Sequence, residues 1–231
     1  MELHRIHALI EALRKQAIGE PQWISDRQVF EYQEQSRKVV AVLKLTRAGQ
    51  GLTAMLALCR AGLFIDFGAV IRCANDCVED AYFLLETYPD EASGNVNKFV
   101  KAFFESTIDG YQDPKTPAVA RDKIRSAVVR ILRDGQDEAT RKLMENVYVA
   151  FCGYIHANYA HVMEVYNGAT QDFNLAGVPS ERQKAMRMEH VEVAADSVLL
   201  CAAFVALKLD LRDIHAELIR ALGSKFVTAS A

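Results

Sequence analysis

The chain has 231 residues, of which 51% are hydrophobic and 25% charged, with a net charge of −3 and a pI near 6.1. That length suits one sizeable domain whose core needs no staples. The acidic balance excludes broad electrostatic attraction to nucleic acid or anionic membranes and leaves only a local basic patch around Arg121, Lys123, Arg125, Arg130 and Arg133.

The elements follow from apolar spacing and stop signals. Glu2 to about Ile18 reads as a short amphipathic helix, with Leu3, Ile6, Leu9, Ile10 and Leu13 on one face. Gly19, Glu20 and Pro21 end it, and Trp23 is expected to anchor the connection to the core. Ser25 with Gln28 reads as a capping box opening a helix to about Arg47. A Gly49-Gln50-Gly51 turn follows, and Gly62 separates a further helical piece from the next element. Leu63 to Tyr88 is the central helix, stopped by Pro89. Val96 to Ile108 and a segment opened by Thr116 and Pro117 read as two more helices, the second ending at Asp134-Gly135. Asp137 to Asn167 reads as one long helix, with His156 turned into apolar packing and His161 outward. The stretch 168–180 lacks a period, and loops of that length are often functional. Ser180 with Gln183 caps a helical pattern running, with a bend, to about Leu222. No strand pattern is found. The reading is an all-α single domain over 1–222 with a frayed tail at 223–231.

The central helix is unusual in its polar groups. It is apolar nearly all round, which marks a buried helix. Yet Arg72, Asp76 and Glu79 form a stripe at i, i+4 and i+7, with Asn75 beside them. Such a stripe is a solvated face, a buried ion network or a binding site, and the pattern alone leaves all three open.

Five cysteines, none arranged as CxxC, lie in apolar helical surroundings and read as reduced thiols of a cytoplasmic protein. Cys73 and Cys77 lack the further Cys or His pair that a zinc site needs, so neither a metal nor any other cofactor is expected. Met1–His7 leads straight into an amphipathic pattern, without the look of a signal peptide. The apolar run Val193–Leu209 is short for a membrane span and contains Asp196, so it reads as a core helix with no membrane role. Dinucleotide, P-loop, zincin, nucleophile-elbow and di-iron spacings are all absent.

Two pieces carry a resemblance. One is an arginine followed four residues later by an acid in a buried helix, Arg72-Cys-Ala-Asn-Asp76. The other is Tyr-x-x-x-x-Gly-x-x-His, from Tyr148 to His156. The pair resembles poorly characterised bacterial helical proteins allied to the HEPN-like superfamily. The resemblance implies an up-and-down bundle of about seven to eight helices, often a homodimer. It also implies either a non-catalytic binding domain or a metal-independent ribonuclease of toxin or phage-defence type. In the ribonuclease version His156 and Arg72 are the catalytic candidates. The binding candidates are Asp76, Glu79, Asn75 and Tyr159. The superfamily's Arg-x(4–6)-His nuclease spacing does not occur here, since Arg182 and His190 have seven residues between them. The leading expectation is therefore a non-catalytic binding or interaction module; RNA cleavage and small-molecule sensing are the alternatives.

Overall fold

A computed structural model describes residues 3–105, 119–133 and 137–228. The predicted caps at Thr116 and Pro117 and the stop at Asp134-Gly135 lie outside them. The described chain is predominantly helical: α1 (Leu3–Ile18), α2 (Arg37–Ala61), α3 (Phe64–Leu85), α4 (Gly94–Glu105), α5 (Arg121–Arg133), α6 (Glu138–Ile155), α7 (Tyr159–Met163), α8 (Glu181–Lys208) and α9 (Arg212–Thr228). Two small antiparallel ribbons, β1–β2 (Gln22–Ile24 and Val29–Glu31) and β3–β4 (Tyr166–Asn167 and Asp172–Phe173), interrupt the helices.

The core is contiguous. It runs from Ile6 and Leu13 of α1 through Val40, Leu45 and Met55 of α2 and Phe67, Ala74 and Leu84 of α3 to Val198 and Leu218 of α8 and α9. Among the described residues, helices α2 and α3 make the most extensive contact. Each carries apolar residues on nearly every face, as a helix surrounded by others must.

Several elements differ from the sequence reading. Ser25 and Gln28 do not cap a helix; they form a turn, closed by Gln28 N donating to the Ser25 carbonyl at 3.3 Å. Trp23 then pairs across the ribbon with Phe30, ring centroids 4.9 Å apart. Trp23 is 53% exposed, so it is a ribbon residue rather than a core anchor. Helix α2 starts later, at the Ser36 cap, whose Oγ accepts from Val39 N at 3.4 Å. It then passes through Gly49 and Gly51 without a turn. These glycines serve packing: a Cβ on Gly49 would lie 2.8 Å from Ile10 Cδ1, and one on Gly51 3.3 Å from Ala74 Cβ. The chain does turn at Gly62, whose left-handed backbone (φ +74°) ends α2.

The long helix expected to reach Asn167 stops at Ile155, and Ala157 takes φ +48°. The stretch 168–180 holds strand β4 and then docks at the α2–α3 junction, where Val178 N donates to the Gly62 carbonyl at 2.9 Å. The last predicted helix is two: α8 ends at Lys208, Asp210 takes φ +55°, and α9 continues through the expected tail to Thr228.

Candidate functional site

The polar stripe of α3 is the centre of an ion network that joins four helices. Arg72, 6% exposed, pairs with Asp76 one turn on. Its guanidinium lies 3.8 Å from the centroid of the Tyr148 ring, on α6. Arg125, from α5, lies 4.4 Å from the same ring. Arg121, at the start of α5, reaches three carboxylates of α3: Asp76, Glu79 at 2.9 Å and Asp80 at 2.5 Å. Asp80, 2% exposed, also takes Lys44 of α2 at 2.8 Å. Four cations and three carboxylates thus share one region, in which Arg72, Asp80 and Arg125 are buried and the rest half-buried. Buried charges persist only when so paired.

The electrostatics follow from the enclosure. Burial alone would lower the Arg72 pKa, but the Asp76 hydrogen bond and the neighbouring Cys152 more than offset this and raise it. Burial holds the Glu79 carboxyl above its ordinary value, against the pull of Arg121. The nitrogens Arg72 Nε, Arg121 Nε and Arg125 Nη1 are buried without a hydrogen-bond partner among the described residues. Both arginines over Tyr148 therefore present part of their charge to an aromatic face, where the ring quadrupole attracts a cation.

The predicted site residues separate. Arg72, Asp76 and Glu79 meet in the network, together with Tyr148 of the second motif. Asn75 is half-buried on α3, and no hydrogen bond joins it to the network's described residues. His156 does not point into apolar packing; it is exposed at the end of α6. Tyr159 is 81% exposed at the start of α7. The histidine that packs inward is His161, expected to face outward. Its ring lies edge-on to Tyr154 with centroids 4.1 Å apart, in a slot over Gly153 that any Cβ would fill. The turn at His156–Asn158, absent from the long-helix reading, exchanges the two histidines.

Sequence reasoning did not single out Lys44 or Asp80, and placed Arg121 and Arg125 only in a basic patch. Arg121 and Arg125 are one helical turn apart, as are Asp76 and Asp80. That repeated spacing of opposite charges was the available signal.

A second polar group lines an open cleft of about 440 Å³ between the start of α3, the end of α7 and the start of α8. Phe64, Glu164, Ser180, Arg182, Gln183, Met186 and Arg187 line it. Tyr154 lies in a slot over Gly68 of α3, and its hydroxyl donates to Glu164 at 2.8 Å. Arg187 donates to the other Glu164 oxygen at 2.5 Å. Burial, with the Glu164 hydrogen bond adding to it, pushes the Tyr154 hydroxyl up to about 12. A groove of about 660 Å³ between β2, α2 and α4 is larger and mixes aromatic residues with Arg27, Glu31 and Gln35, but its Lys44 is committed to Asp80. No group of His, Cys, Asp and Glu among the described residues could hold a metal ion.

No family model, curated protein or solved structure matches this chain.

Proposed function

We propose that this protein is a non-catalytic binding module. The ion network is its internal frame, and the cleft at the start of α8 takes a small anionic molecule with an apolar portion. The contrast between two arginine environments carries this reading. Arg72 is enclosed by Asp76 and Tyr148, whereas Arg182 and Arg187 reach an open cleft that also offers Phe64 and Met186. The Glu164 oxygens are already taken by Tyr154 and Arg187, so Arg182 and the adjoining helix N-terminus give the cleft its positive character. Ligand pockets are of this kind, apolar with a few convergent polar groups.

The ribonuclease alternative needs His156 and Arg72 to act together. One is exposed at a helix end and the other enclosed, and no ion pair or hydrogen bond joins them. The proposed HEPN-like relationship draws support from one fact: Arg72, Asp76 and Tyr148 of its two motifs meet at one place.

The test is thermal unfolding with inorganic phosphate, small aliphatic and aromatic carboxylates, and nucleoside monophosphates. A binder at a hundred times its Kd should raise Tm by about 5–10 °C, from about 2.7 kcal/mol of linkage and about 2–4 °C per kcal/mol for a chain this long. Arg182→Ala and Arg187→Ala should each reduce the shift. No shift with any probe, or shifts untouched by both substitutions, would sink the reading.

A further inference from the structure

Two donors beside the cleft converge on a carboxylate of the chain itself. The Tyr154 hydroxyl, from α6, lies 2.8 Å from one Glu164 oxygen and 3.1 Å from the other. Arg187, from α8, donates to the second of these at 2.5 Å. A guanidinium and a hydroxyl aimed at one pair of oxygens are the donors with which proteins recognise a free carboxylate. The hydroxyl keeps its proton at neutral pH, because burial and the Glu164 hydrogen bond push its pKa up to about 12, so it stays available as a donor.

Glu164 is the lightly held member of the three. It caps α7, a helix of five residues of which none is buried. Its side chain keeps 31% of its surface exposed, so its charge passes readily into water when it leaves. Tyr166, Phe173 and Leu175, which follow it, are exposed as well. The two donors are held from the other side. Tyr154 sits in its slot over Gly68, and the Arg187 guanidinium lies 5.5 Å from the centroid of the Phe64 ring. An anion entering the cleft therefore meets two fixed donors engaged by a side chain that can move away.

We infer that Glu164 occupies the anion subsite of the cleft as a stand-in, and that the ligand's own carboxylate, on an apolar body, displaces it from Arg187 and Tyr154. The displacement rests on the ligand cleft proposed above and names the class of molecule it takes. Two converging donors match the two coplanar oxygens of a carboxylate better than the three terminal oxygens of a phosphate. Phe64 and Met186, which line the same cleft, receive the apolar body. Arg182 and the start of α8 draw the anion in, and Arg187 holds it. The Glu164 contact is then self-inhibitory: the apparent affinity is the intrinsic one reduced by the fraction of molecules in which Glu164 has let go. Displacement also removes a tie between α7 and the helices α6 and α8, so binding should loosen the segment 159–176.

Isothermal titration calorimetry of the full chain with benzoate, hexanoate and inorganic phosphate tests it. Glu164→Gln removes the competing charge and nearly keeps the side chain's shape. It should bind benzoate and hexanoate about tenfold to a hundredfold more tightly than the wild type, the strength of a hydrogen bond to a charged group, with a smaller gain for phosphate. Should Glu164→Gln be too unstable to titrate, Glu164→Asp, one methylene shorter and unable to span both donors, should gain in the same direction. Equal or weaker carboxylate binding by these variants, with wild-type binding intact, overturns the inference and leaves the cleft standing, with Glu164 only a structural tie. A gain for phosphate as large as that for the carboxylates overturns the ligand class. No binding of any probe to wild type or variant takes down the cleft and the displacement together. Amide hydrogen exchange gives a second readout. Saturating benzoate should quicken exchange across 159–176 in the wild type and change it little in Glu164→Gln, where the tie is already weakened. A wild type that binds benzoate without that quickening overturns the displacement.

Discussion

At the scale of single residues, the ion network separates charges that the fold needs from charges it tolerates. Asp80 is the fully buried acid, and it alone joins Lys44 of α2 to Arg121 of α5. Asp80→Ala leaves Lys44 without its carboxylate and Arg121 with Asp76 and Glu79 alone, and should cost about 3–5 kcal/mol, the usual penalty for breaking a buried pair. Glu79 is different. Its carboxyl is held above the ordinary value, chiefly by burial, so the folded state binds that proton more tightly than the unfolded state. Its contribution to stability is therefore present below the ordinary carboxylate range and lost as pH rises through the raised value. Glu79→Gln keeps a side-chain oxygen for Arg121 and removes the dependence. The variant should gain on the wild type as pH rises from the ordinary carboxylate range towards neutrality, read by denaturant unfolding across that range. The stripe of Arg72, Asp76 and Glu79 was legible in the sequence because all three share one helix. Asp80 was not, because its importance comes from Lys44 and Arg121 on other helices, and its one-turn spacing from Asp76 says nothing of which partners it meets.

At the scale of elements, the helices were legible wherever a long apolar pattern ended at a strong stop: α1 before Gly19, α3 between Gly62 and Pro89, and α8 from its Ser180 cap. They were not legible where glycine had two meanings. Gly49 and Gly51 read as a turn, but they are close-approach positions inside α2, against Ile10 and Ala74. The β1–β2 ribbon escaped notice because three residues per strand are too few to show alternation. Glycine at its other use appears at Gly177, whose φ of +110° suits a residue without Cβ. Any Cβ there would also meet the Ala61 carbonyl oxygen. Gly177→Ala should release the docked segment 174–180 from the α2–α3 junction at a cost of about 1–3 kcal/mol, the range for a strained backbone position. Faster limited proteolysis within 168–180 would report it. Gly168→Ala is the control: a Cβ there meets nothing within 4 Å, and the cleavage rate should not change.

At the scale of the whole molecule, stability is unevenly distributed, and the network ties the weak part to the strong one. Helices α2 and α3 lie in the middle of the core, with residues such as Val40, Leu45, Met55 and Leu84 fully enclosed. Helix α6 has one buried residue, Gly153, and exposes Leu143 and Val149. What holds it to the bundle is a short list: Met144 and Phe151 against the core, Tyr154 in the Gly68 slot, and Tyr148 under Arg72 and Arg125. Local opening follows such differences in burial, because a helix with few enclosed contacts can detach without exposing the core. Amide hydrogen exchange should therefore be much faster in the first three turns of α6 than in α2 and α3. Tyr148→Ala removes the ring that links α6 to Arg72 and Arg125, and it should quicken exchange along α6 while leaving the middle of α2 unchanged. If α2 quickened equally, the network would be part of the global unfolding unit. Exchange confined to α6 would mean that the polar stripe of α3 acts as a clasp for a detachable helix, placing charge where a purely apolar contact would have sealed α6 down.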